Sequence, residues 1–174
     1  MASDEISVSA SSDDRGPPRG RLAARTLGQL GCGEQFVVWA LRQRLHDGEP
    51  GSTVLVHGFR LAFGLWALEP ALAAFEGCFS ALARHARHDL CLCPLRCACL
   101  SLDEDAVLEL IAAAQLAPGA CCLAATLERL VEPEGRAPLR GNATALGTIL
   151  LRAGLLLPAR PPRAGGAVGP VPLH

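Results

Sequence analysis

The spacing of apolar residues between positions 68 and 82 constrains the fold more than any other feature of the sequence. Five bulky apolar residues recur there at intervals of four, three, four and three: Leu68, Leu72, Phe75, Phe79 and Leu82. This period places them on one face of an α-helix. Pro70 lies near the start of the run, where a proline fits the first helical turn. The pattern predicts a core-facing helix that continues to about Arg87.

A second helix is predicted to begin at Ser101. Ser101 and Glu104 have the spacing of a capping box, and the acidic residues of this turn complement the positive end of the helix dipole. Pro118 and Gly119 should end this helix. Its buried face is expected to contain Val107, Leu110, Ile111 and Ala114.

Other segments repeat the helical pattern with shorter or weaker apolar faces. They are Gly33 to Leu45, Thr53 to Phe63, Cys121 to Leu130 and a last helix that Asn142 would cap, after a connector from Glu132 to Gly141. Apart from a weak candidate at 53–57, no segment alternates as a strand does. The sequence therefore predicts an all-α fold, an irregular bundle of five or six helices.

The helical pattern also divides the chain. Residues 1–30 are polar and lack an apolar period, and residues 158–174 are rich in Pro and Gly, so both are predicted to be disordered tails. Between them, residues 31–157 would form one helical domain, with Trp39 and Trp66 as core anchors.

Charge and hydropathy limit the possible partners and compartment. The net charge is −1 and no basic run is present, which excludes a nucleic-acid surface and an electrostatic membrane surface. No uninterrupted apolar run reaches the roughly 20 residues of a membrane span. Residues 1–20 lack the pattern of a secretory signal. We therefore expect a cytoplasmic protein whose eight cysteines are reduced rather than joined in disulfides.

The most chemically specific segment lies between the two best-marked helices. It holds six potential metal ligands within fifteen residues: Cys91, Cys93, Cys97, Cys99, His85 and His88. Thiolate and imidazole groups are the ligands that zinc prefers, and iron is a less favoured candidate. Four cysteines within nine residues close poorly around one ion. The sequence therefore favours two or three of them, completed by a histidine, by Cys78 or by a thiol at 121–122.

Two other interpretations of the cysteines stay open. Arg84, Arg87 and Arg96 would lower the pKa of nearby thiols and favour redox chemistry. Alternatively, the cysteines are small apolar residues of a packed interior. The predicted function is a regulatory or structural metal or thiol-redox protein. Its alternative is a helical interaction or scaffold module that binds a protein partner or another copy of itself. No paired acid and base can be named, which argues against an enzyme.

Overall fold

The structure, a computed structural model, describes residues 22–116 and 121–159. Most of the predicted N-terminal tail, the predicted helix stop at Pro118 and Gly119, and the C-terminal tail from residue 160 lie outside the described residues.

Helices make up most of the described chain, and the predicted all-α fold class is confirmed. The helices are α1 (Cys32–Asp47), α2 (Thr53–His85), α3 (Leu102–Leu116), α4 (Cys121–Leu130) and α5 (Pro133–Arg152). Two short strands, β1 (Leu22–Thr26) and β2 (Cys99–Ser101), form an antiparallel pair, and a 3-10 turn (Leu27–Gln29) follows β1.

The core lies between α2, α3 and α5. Helix α5 packs against both of the others, and α4 closes the side of α3. Fully buried side chains from these elements include Phe59, Leu82, Leu108, Leu127 and Leu150. Helix α3 is enclosed on almost every side, so even the acidic residues of its first turn are buried. Buried carboxylates need partners, and those partners define the site described below.

Helix α2 combines two predicted helices across a kink. Gly64 has a left-handed φ of 68° with ψ of −177°, which interrupts the helical backbone between them. Only glycine adopts this conformation at little cost. The part of α2 after the kink ends at His85. It starts earlier than predicted, and Pro70 lies inside the helix rather than in its first turn.

The start of the last helix was predicted wrongly. Helix α5 begins at Pro133, so the expected connector is helical and Asn142 lies in the middle of the helix, where its side chain donates to the Pro138 carbonyl (2.9 Å). Pro133 occupies the first turn, where a missing N–H costs nothing. The buried face extends one turn upstream through Leu139, which joins Ala143, Leu146 and Leu150 at helical spacing.

The two strands were not predicted. Strand β2 has three residues, too few to show an alternating pattern. Strand β1 lies within the segment assigned to a disordered tail, so the ordered domain starts before residue 31. Strand β1 pairs with β2, more than 70 residues later in the sequence, and no local sequence pattern reveals such a pairing.

Helix α2 carries exposed apolar side chains on both sides of the Gly64 kink. Val54, Leu61 and Leu65 are more than half exposed, and Trp66 is 99% exposed rather than a core anchor. By length and composition α2 could also cross a membrane, although a single helix of this kind is weak evidence. This group of four residues is called the α2 apolar face below.

The contact between α1 and α2 predicts the effect of a small substitution. A Cβ at Gly58 would lie within 2.6 Å of Cζ3 of Trp39 and would overlap the ring. We expect Gly58→Ala to lower the free energy of unfolding by about 1–3 kcal/mol, because overpacked contacts force side chains to shift. Urea denaturation measures this change.

Gly141→Ala is the matched control. Gly141 lies inside α5 with nothing within 4 Å of a new Cβ. Alanine should raise stability there by about 0.5–1 kcal/mol, through its helix propensity. Equal effects of the two substitutions would contradict the packing described.

Candidate functional site

The N-terminus of α3 is built as the sequence predicts. The Ser101 hydroxyl accepts the Glu104 backbone N–H (3.0 Å), and the Glu104 carboxylate accepts the Ser101 N–H (2.8 Å). This reciprocal capping box satisfies two backbone donors that the helix itself leaves free. Glu104 is fully buried, so its charge also requires a cation.

That cation is Arg42, which projects from α1. Its Nε and Nη2 donate to the two carboxylate oxygens of Glu104 at 2.6 and 2.9 Å, a bidentate pair whose side chains are 1% and 0% exposed. The planar guanidinium matches the geometry of a carboxylate, which makes this pair stronger than a single contact. The pair joins α1 to the start of α3.

Arg42 also organises the cysteine segment through its backbone. Nη1 donates to the carbonyl oxygens of Pro94 (3.3 Å) and Cys97 (2.6 Å), and Nη2 donates to that of Cys99 (2.6 Å). With the Glu104 bonds, every guanidinium N–H has an acceptor. Burial alone would lower the pKa of Arg42, but the hydrogen bonds and charge of Glu104 raise it above its ordinary value. The guanidinium is therefore a permanent cation beneath the loop.

Acidic side chains of α3 hold the earlier part of the loop. The Asp103 carboxylate accepts the Cys91 N–H (2.7 Å) and contacts His88 Nε2 (2.9 Å). Glu104 accepts the Cys93 N–H (3.1 Å). Hydrogen bonds between the loop backbone and three charged side chains, Arg42, Asp103 and Glu104, thus hold the loop from residue 88 to residue 99 in place.

The side chain of Cys97 lies against Cys99. The Cys99 backbone N–H donates to Cys97 Sγ (3.3 Å). Both residues are partly exposed, whereas Cys93 is buried beside Glu104. A turn closed by the Cys97 N–H and the Pro94 carbonyl (2.9 Å) and a bend at Ala98 bring this pair together at the start of β2.

The predicted lowering of thiol pKa values by neighbouring arginines is wrong for two cysteines. Burial raises the pKa of Cys93, and the charge of Glu104 adds to this effect. The hydrogen bond to Cys97 is the main cause of the raised pKa of Cys99, followed by burial. Arg42 opposes both shifts but does not outweigh them. The carboxylate that Arg42 neutralises largely cancels its field at the thiols.

The six predicted metal ligands do not form one cluster. His85 packs against Gly135, and its carbonyl accepts the Glu132 N–H (2.8 Å) at the start of α5. His88 contacts Asp103. Across residues 22–116 and 121–159, no group of three or more His, Cys, Asp or Glu side chains is arranged to hold a metal ion. Binding of zinc or iron stays a prediction from the sequence.

The cysteines outside the loop have separate environments. Cys78 is buried in the core on α2, as predicted, and desolvation raises its pKa to about 12. Cys121 is exposed and Cys122 half-buried at the start of α4, and Cys32 is exposed at the start of α1. Cys97 and Cys99 thus differ from these cysteines because the backbone of one binds the sulfur of the other.

Comparisons with known proteins give no relative: no protein family, curated protein or solved structure matches the chain. Functional inference therefore rests on the geometry of the loop and its supports.

The arrangement predicts a specific need for arginine at position 42. We expect Arg42→Lys to keep the charge but to leave loop carbonyls without donors, lowering the free energy of unfolding by about 2–3 kcal/mol. Cys93 should then react faster with a thiol reagent in the native state, because the loop covering it is loosened. Urea denaturation and labelling followed by mass spectrometry measure the two effects.

Arg44→Lys is the control, two residues along the same helix. Arg44 makes one bond to Glu76 (2.9 Å) and lies over the Phe79 ring, and lysine can keep both contacts. The free energy of unfolding should therefore fall less for Arg44→Lys than for Arg42→Lys. If the two lysine variants show equal losses of unfolding free energy and equal Cys93 reactivity, the hydrogen bonds from Arg42 are not what orders the loop.

Proposed function

We propose that this chain is a cytoplasmic helical protein in which Cys97 and Cys99 form a reversible dithiol–disulfide pair. The observation that carries the proposal is that two partly exposed cysteines lie against each other on a loop that charged residues position, with Cys97 Sγ bound by the Cys99 backbone N–H (3.3 Å). The pair would act as a thiol sensor in a regulatory role, since a reducing compartment makes disulfides transient.

The reaction we propose uses a peroxide as oxidant. The Cys97 thiolate attacks one oxygen of hydrogen peroxide, the O–O bond breaks, and the departing hydroxide becomes water with the proton that Cys97 released. The Cys99 sulfur then attacks the sulfenic acid on Cys97, the S–O bond breaks, and a second water leaves with the Cys99 proton. Two thiols lose two electrons in total, and one peroxide is reduced to two waters.

The hydrogen bonds support this division of roles. The Cys99 backbone N–H donates to the Cys97 sulfur (3.3 Å), whereas Cys99 is the thiol whose pKa is raised. The thiolate is the form that attacks an oxidant. Cys99 keeps its proton in this arrangement, so it serves as the resolving thiol.

Peptide mapping tests the proposal directly. Cleavage after arginine and after acidic residues releases a peptide that begins at Cys97, ends at Asp103 or Glu104, and contains these two cysteines alone. After mild peroxide treatment, we expect this peptide to have lost two hydrogens, a change of about 2 Da that a reductant reverses.

A matched pair of variants provides the controls. Cys121→Ser with Cys122→Ser removes an adjacent pair elsewhere and should leave the reaction intact, whereas Cys97→Ser with Cys99→Ser should abolish it. A peptide that keeps two free thiols while exposed Cys32 or Cys121 reacts would refute the proposal. A second result would also refute it. If stoichiometric zinc or iron co-purified with the wild type but not with the variant carrying Cys97→Ser and Cys99→Ser, metal would occupy the thiols.

The α2 apolar face favours a second candidate, an interaction module that binds a protein partner or another copy. Clusters of exposed apolar side chains are typical of interaction surfaces. Leu61, Leu65 and Trp66 lie around the Gly64 kink, where the chain leaves them in solvent. This role does not require the cysteines.

Light scattering during size-exclusion chromatography tests self-association through this face. If a second copy covers it, Leu61→Glu should convert an oligomer to a monomer, because a charge would be buried at the interface. Leu151→Glu is the control, since Leu151 is another exposed leucine and belongs to a different helix, α5. A wild-type monomer at all concentrations would exclude self-association.

A further inference from the structure

The cysteine pair lies in the same segment that holds the N-terminal strand. Strand β1 pairs with β2, with Thr26 opposite Cys99 and Leu22 opposite Ser101. Beyond the strand, the Leu27 N–H donates to the carbonyl of Ala98 (2.9 Å), the residue between the two cysteines. The backbone of the proposed thiol site is therefore also the docking edge for β1.

Closing a disulfide between these cysteines must move that backbone. Cys97 Sγ is now bound by the Cys99 backbone N–H (3.3 Å), and a disulfide requires the two sulfur atoms to approach to about 2 Å. The ring that forms contains both peptide groups of Ala98. Its closure is therefore expected to reorient the Ala98 carbonyl, which is the acceptor for Leu27.

Arg42 limits how far the carbonyl groups of Cys97 and Cys99 can move. It binds the carbonyl oxygens of both Cys97 and Cys99 at 2.6 Å from inside the protein. Because the guanidinium is fixed to buried Glu104, it cannot follow the loop outward. We therefore expect the strain of ring closure to fall on the side of the segment opposite Arg42. On that side, β1 is the neighbouring strand of the sheet.

The other contacts of this segment do not replace the strand pairing. Arg25 bonds the buried Glu34 at 3.3 Å through its side chain, and Gln35 donates to the Leu27 carbonyl, beyond the strand, at 3.3 Å. Ala23 and Leu27 pack half-buried against the core, but none of these contacts bonds the backbone of β1 to β2. We infer that oxidation of Cys97 and Cys99 releases β1 from β2, so that the thiol state controls whether this strand is docked. This inference rests on the proposed dithiol function.

Hydrogen exchange of the full chain before and after peroxide treatment tests the inference, alongside the peptide map of the same sample. We expect the amides of β1 and Leu27 to exchange at least about tenfold faster in the oxidised protein, while α5 amides around Leu146 stay protected. Oxidant-treated protein carrying Cys97→Ser and Cys99→Ser should show no change in β1.

The outcomes separate the two proposals. A Cys97–Cys99 disulfide with unchanged or slower exchange in β1 overturns the release of the strand and leaves the dithiol function standing. Absence of the disulfide overturns both. Faster exchange in the oxidised serine variant would attribute the effect to another thiol and overturn the inference.

Discussion

A buried ion pair between the first and third helices supports the rest of the site. Glu104 is held in place by its own helix cap, and Arg42 reaches it from α1 with a bidentate bond. Two charges removed from water are costly unless every donor and acceptor is satisfied. Here the remaining guanidinium N–H groups donate to loop carbonyl oxygens. The same side chain therefore neutralises Glu104 and orders the cysteine loop.

This dependence explains why a loop without regular structure can position thiols. Backbone carbonyls that would otherwise need water are bound from below by Arg42, and backbone N–H groups are bound by Asp103 and Glu104. The loop is therefore ordered mainly by these charged side chains, and the Cys97 side chain adds one hydrogen bond from the Cys99 N–H. A metal is not needed to explain the order of this segment, although the sequence suggested one.

Much of the helical framework could be predicted because it is local. The Leu72 to Leu82 period, the Ser101 capping box and the end of α4 are read from residues within a few positions of each other. Arg42 could not be identified as a site residue, because its partner lies 62 positions away and nothing near it in the sequence marks it. Strand β1 was not predicted for the same reason, since its partner strand is distant in sequence. The exposure of Trp66 was not predicted because it depends on the kink at Gly64.

The central claim is that Arg42 and Glu104 act as a unit, and a double-mutant cycle measures this most directly. Unfolding free energies would be compared for Arg42→Met, Glu104→Gln and the double variant. Each single change leaves unsatisfied groups and should cost about 3–5 kcal/mol, with the double variant at least about 2 kcal/mol more stable than additivity predicts. Costs that add within about 0.5 kcal/mol would contradict the account.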